Sequence, residues 1–229
     1  MNNLNDLKLI LPVEDLRFIE ANVPSTLIDY LFNNILDSYN SFDKGHGINH
    51  ILTVINSSLK LSRFYDVKIP MVLTIAIFHD LGLKVNRKFH HIHSKNFLIN
   101  DEILKKWFNA EDIITMGNAC EDHRASNNYT PRTIYGLIIS DADRTTDIID
   151  MITRCYNYSK KHFPKLNEIE TYDRVYSHLT EKYGQNGYAK LYLPESESIL
   201  MEPIYEARKF LDNKDAFKKI YNETVPSIS

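Results

Sequence analysis

The chain has 229 residues, 43% of them hydrophobic, and a formal net charge of -3, enough apolar material for one sizeable buried core. Neither sign of charge gathers into the basic stripe that a nucleic-acid polymer needs, so a DNA or RNA partner is not expected. Its two cysteines, Cys120 and Cys155, make no disulfide framework or metal-ligand spacing, and MNNLNDLKLILPVEDL is no basic leader before an apolar run; without eighteen apolar residues in a row either, a reduced, cytoplasmic chain with no signal peptide and no membrane contact is expected.

Seven glycines and eight prolines are few, and apolar residues recur at three and four, which predicts an all-α chain without repeats or low-complexity segments. From Pro24 to about Asn40, Leu27, Ile28, Leu31, Ile35 and Leu36 form one apolar face, and SFDKGHG at Ser41 to Gly47 breaks it. A second helix starts near Ile48, with Ile51, Val54, Ile55 and Leu59 facing inward. Pro70 opens a third, apolar nearly all round from Met71 to Phe78, as a helix at the centre of a bundle would be. Gly82 is expected to let the chain turn before LKVNRKFHHIHSKNFL enters another helix. Further helices are predicted at Glu111 to Asp122, Pro131 to Tyr158, Glu168 to Lys182 and Glu195 to Leu211, with YGQNGYAKLYLP at Tyr183 to Pro194 as a loop. No Pro-, Gly- or Ser-rich linker marks a domain boundary.

Six of the nine histidines fall between His46 and His93, and His123 comes later in ACEDHRAS. The core helix ends by placing His79 and Asp80 side by side, two ionisable groups whose burial costs several kcal/mol unless something satisfies them. A divalent ion would neutralise Asp80 and use the lone pair of His79, and imidazole with carboxylate suits such ions. Adjacent helical residues point about 100° apart, so both reach one ion only at a kink or helix end.

His50, the His79-Asp80 pair and Asp143, in the order H…HD…D, resemble the metal-binding motif of the HD-domain superfamily of metal-dependent phosphohydrolases, over roughly residues 41–146. FHDLGL, HHIHS, EDHRAS, IYG and ADR are similar to phrases of one bacterial group within it. The resemblance implies a single-domain helical bundle of HD type, with a metal-site core at about 41–146 and a C-terminal helical part at 147–229. It also implies that His50, His79, Asp80 and Asp143 hold one metal. In two-metal members two further histidines join; His90, four residues before Ser94, matches the first and His123 the second, with Asp80 bridging. His91 stays open as a rival to His90, and Asp141 as a rival to Asp143. The ions would be one or two divalent metals, with Mn, Fe, Zn, Co, Ni and Mg not distinguished.

Singly, each of these residues is more often structural; their combination is what points to a metal. His46, His93 and His162 are read as turn, surface or supporting residues, and Tyr172, Tyr176 and Tyr183 as core. Glu121 is read as orienting a ligand imidazole. Lys84, Arg87, Arg124, Arg132 and Arg144 lie near the proposed ligands, and the fixed fork of arginine matches phosphate, so Arg87 and Arg124 are the candidate substrate clamps, with Asp80 and Arg124 in catalytic roles. The expected activity is hydrolysis of a small phosphoester or phosphoanhydride, a nucleotide being the expected class. The same ligands would serve an HD-type diiron oxygenase, and a metal-containing nucleotide sensor is the third reading. A small-molecule phosphate is thus the expected partner, and apolar residues on the terminal helices would suit a homodimer.

Overall fold

The computed structural model describes residues 11–42, 45–144 and 147–225. Readings that touch residues 1–10, 43–44 of SFDKGHG and 145–146 at the edge of the metal-site core lie outside these. Among the described residues there are twelve α-helices and no strand, so the chain is all-α. Among them no helix is long and apolar enough to cross a membrane.

The chain divides into two compact units. The first runs to Asp143 and takes in Tyr192–Ser196. It begins with α1 (Val13–Asn22) and α2 (Ser25–Tyr30), each started by a proline whose fixed φ suits a helix entrance. The predicted helix from Pro24 to Asn40 is helical throughout but changes its winding, with a π turn at Leu31–Ile35 and a 3₁₀ turn at Leu36–Ser41. Next come α3 (Ile48–Ser62), α4 (Ile69–Phe78), a 3₁₀ turn at Leu81–Lys84, α5 (His90–Ile99), α6 (Ala110–Asp122) and α7 (Ile134–Ala142). Every residue of α4 from Met71 to Phe78 is buried, each apolar side chain contributing on the order of 1.5–3 kcal/mol. Packed against α4 are α3, α5, α6 and α7, so whatever α4 delivers at its C-terminal end arrives in the core.

The predicted single helix from Pro131 to Tyr158 is two, α7 and α8 (Ile148–His162). The Asp147 side chain accepts the amide of Asp150 at 2.8 Å and so caps a new helix start. In the second unit α8, α9 (Glu168–Tyr183), α11 (Met201–Leu211) and α12 (Lys214–Thr224) pack around Ile152, Val175, Leu179, Leu211, Phe217 and Tyr221. The Asn167 and Glu170 pair closes a capping box at the start of α9. Helix α10 (Pro194–Ile199) ends before α11, although one helix from Glu195 to Leu211 is predicted. Pro203 has no N–H to give to the carbonyl four residues back, which prevents continuation.

Candidate metal centre

The end of α4 creates the centre. His79 keeps helical backbone angles, while Asp80 leaves them at φ -107° and ψ 2°. The last turn of the helix loses main-chain donors there, and side chains replace them. His79 Nδ1 donates to the Ala76 carbonyl at 2.7 Å, and the buried Tyr39 hydroxyl donates to the Ile77 carbonyl at 2.8 Å. Gly82 does not serve as a left-handed turn residue, since no glycine among the described residues has positive φ. Its value is closeness: a Cβ on it would lie 1.9 Å from the His90 carbonyl oxygen and 2.7 Å from the Ser94 nitrogen. The Gly82 amide also donates to Ser94 Oγ at 2.9 Å, holding the first turn of α5 against the turn after Asp80.

Six of the candidate side chains converge. Asp80 Oδ2 is 3.6 Å from both His50 Nε2 and His79 Nε2, and Oδ1 is 3.5 Å from His90 Nε2 and 3.6 Å from His123 Nε2. Asp143 Oδ1 lies 3.1 Å from His50 Nε2 and 3.7 Å from His79 Nε2. Asp80 thus stands between two groups of donors, with His50 and His79 at one oxygen and His90 and His123 at the other; Asp143 joins the first pair, and His123 also lies within donor reach of His79 and Asp143.

The imidazoles are held in one tautomer. Besides His79, His90 Nδ1 donates to the Arg87 carbonyl at 2.8 Å, and His123 Nδ1 to the Cys120 carbonyl at 2.6 Å. Each therefore turns Nε2 towards Asp80, where it can offer a lone pair to a metal ion or, without one, carry a proton shared with the carboxylate. His79 Nε2 is buried without a hydrogen-bond partner, and His90 Nε2 faces His123 Nε2 at 3.2 Å, lone pair to lone pair. Such an arrangement needs a proton or a metal ion between the two nitrogens. Donor atoms bound at about 2.0–2.2 Å to one ion sit about 3–3.5 Å apart in octahedral or tetrahedral geometry, close to the 3.1–3.7 Å found here. The six residues fit divalent metal ions.

The charges agree. Burial alone would raise the Asp80 carboxyl, but the His79 imidazole and hydrogen bonds from His123 and His50 outweigh it and hold Asp80 well below the usual carboxylate range. Burial would lower His79, yet Asp80 and Asp143 push it up to about 9, and they raise His50 likewise. Burial and the neighbouring His123 press His90 down to about 4. Solvent reaches the centre past His90 and Asp143, whose side chains are 17% and 24% exposed, whereas His79 is at 0%.

The two rivals sit elsewhere. Asp141 is fully buried, but it accepts the amides of Tyr192 and Leu193 and the Ser196 hydroxyl. His91 packs edge-on against His90 and stands outside the convergent groups. Glu121 does not orient an imidazole: it pairs with Lys95 at 2.8 Å and Arg132 at 2.5 Å, and backbone carbonyls do the orienting. Arg132 is also engaged by the buried Asp122, at 2.7 Å. Arg124 Nη1 donates to the Lys88 carbonyl at 2.7 Å, while Lys84 reaches Ser38. Lys84 ends the 3₁₀ turn, and Arg87 and Lys88 lie on the exposed loop that leads directly into His90. Arg144, expected to lie near the ligands, is buried. Sequence reasoning missed Tyr39 and the part played by His46, whose ring is 5.9 Å from that of His50 and whose charge acts on Asp80. The available signal is the spacing of four between His46 and His50, with His46 in the turn just before α3.

Residues 47–147 match the family model described as HD domain, a span that holds all six convergent residues. Neither the curated proteins nor the solved structures contain a match to the chain.

Proposed function

We propose, for a chain that belongs through residues 47–147 to the HD-domain superfamily, that it is a phosphohydrolase of small phosphoesters or phosphoanhydrides, with a nucleotide as the substrate class. The superfamily is one of metal-dependent hydrolases, and its domains bind divalent metals. The observation that carries the reading is the division of Asp80, one oxygen towards His50 and His79 and the other towards His90 and His123.

His50, His79 and Asp143 would hold one ion, His90 and His123 a second, and Asp80 would bridge them. Four imidazole nitrogens favour a first-row transition ion over magnesium. Bound divalent ions supply Lewis acidity, which offsets charge on phosphoryl oxygens and lowers the pKa of water towards neutrality. Asp80, kept ionised, accepts a hydrogen bond from the attacking water and holds it towards phosphorus. Arg124, one residue from His123, and Arg87, on the loop before His90, draw the phosphate oxygens in. Arg124 also keeps that loop in place through the Lys88 carbonyl, so its loss should raise the Michaelis constant and lower turnover together.

The test is phosphate release by manganese-loaded protein from nucleoside mono-, di- and triphosphates, dinucleotides and simple phosphoesters, beside Asp80→Ala. Release from any member that disappears in the variant supports the hydrolase. No release, with dioxygen uptake by the iron-loaded protein, would replace it with oxidation; a ligand that stabilises the fold and is never turned over would replace it with sensing.

A further inference from the structure

Two aspartates stand two residues apart at the end of α7, and only Asp143 faces the histidines. Asp141 is 0% exposed, and a buried carboxylate requires donors. A segment 51 to 55 residues downstream supplies them. The Tyr192 amide donates to Oδ1 and Oδ2 at 3.0 Å, the Leu193 amide to Oδ2 at 2.8 Å, and Ser196 Oγ to Oδ2 at 2.7 Å. Tyr192–Ser196 is the one stretch from beyond Asp143 that groups with the first unit. Ser196 is 0% exposed and Leu193 6%, so the segment is seated and not draped. A second tie is close by, where the Tyr65 hydroxyl, just past α3, donates to Glu195. Asp143 lies within the same turn as Asp141, its amide bonded to the Ile139 carbonyl at 3.0 Å, so rotation of that turn would move Asp143.

We propose that Asp141 and Tyr192–Ser196 form a strap that positions Asp143, and thereby one half of the metal centre. Asp141 is a positioning residue and takes no ion. The strap locks the last turn of α7 in the rotation that brings Asp143 Oδ1 within 3.1 Å of His50 Nε2. His90 is carried by α5 and groups with Asp80 and His123, so it marks the other half; His123, at the end of α6, lies within donor reach of both halves. The inference rests on the reading of the six residues as a metal centre.

Cobalt titrations followed by visible absorption would test it, with Asp143→Ala and His90→Ala as references for the two halves. The variants are Asp141→Asn, which keeps the shape and removes one acceptor, and the milder Ser196→Ala. Amide hydrogen exchange at Tyr192 and Leu193 is read in the metal-free proteins. The expected result is at least a tenfold weaker uptake at the half marked by Asp143→Ala, unchanged uptake at the half marked by His90→Ala, and faster exchange at both amides in Asp141→Asn. Faster exchange with wild-type affinity at both halves would overturn the strap's role and leave the metal centre standing. Equal weakening of both halves would also overturn it, because the effect would then be general destabilisation. A wild-type protein that takes up no cobalt would remove the metal centre and the inference together.

Discussion

Replacing Gly82 with alanine tests how the second half of the centre is held. The added Cβ would stand 1.9 Å from the His90 carbonyl oxygen, 2.7 Å from the Ser94 nitrogen and 2.8 Å from the His90 carbonyl carbon. All three are backbone atoms, so no side chain can swing away. Restoring ordinary contact needs the first turn of α5 to retreat by about 1.5 Å, an overpacking strain worth about 1–3 kcal/mol. For a chain of this size that lowers Tm by roughly 2–4 °C per kcal/mol. The effect on His90 is sharper, because metal-ligand distances hold to about 0.2 Å, and a retreat several times larger takes Nε2 out of reach. Bound metal counted by plasma mass spectrometry should therefore fall from two ions per chain to one, with the ion at His50, His79 and Asp143 kept. Gly136→Ala is the comparison, since its Cβ would meet the Pro131 side chain at 3.0 Å and Asp122 Oδ2 at 3.1 Å. That variant should keep both ions. A Gly82→Ala protein holding two ions at wild-type affinity would refute the idea that this close approach sets His90.

Two further outcomes are expected. Removing metal should make stability pH-dependent through His79, whose pKa is raised to about 9 by Asp80 and Asp143 against the pull of burial. A raised histidine stabilises fully below its unfolded value near 6.5 and loses that contribution as pH climbs through 9, on the order of 3 kcal/mol. Urea unfolding of chelator-treated protein at pH 6 and pH 9.5 should show the drop, and His79→Gln should reduce it, leaving the smaller part that the raised His50 contributes; a flat wild-type profile would contradict the assignment. Cys120 is fully buried, and burial and then Asp80 push its thiol far up, while burial pushes Cys155 up to about 11. Neither should react with iodoacetamide before unfolding, and mass spectrometry showing a labelled native Cys120 would disprove its burial.

Much of the fold is legible because its central element is extreme in composition. An all-round apolar run opened by Pro70 reads as a core helix, and α4 is buried from Met71 to Phe78. The arrival of His79 and Asp80 inside is legible for the same reason, since residues at the C-terminal end of such a helix must end in the core; that His50 and His123 join them is implied by the resemblance to the HD-domain motif. The choice between Asp141 and Asp143 is not, because the strap that claims Asp141 comes from Tyr192 to Ser196 and leaves no local trace. His90 and His91 point about 100° apart, and contact with Gly82 settles the rotation of α5. The break between α7 and α8 hides because apolar spacing continues across it, with only the Asp147 cap as a signal. Helix α1 leaves a faint pattern because few of its residues are buried, whereas α12 carries a clear apolar face at Phe217 and Tyr221 that the sequence reading passed over.

The most direct test of the central claim is a manganese titration of metal-free protein, without dioxygen, that reads bound metal and phosphate release in the same samples. With Asp80 bridging two ions, release should appear as the second equivalent binds and be absent from Asp80→Ala at any manganese concentration. Release from metal-free protein, or undiminished release from Asp80→Ala, would contradict that claim.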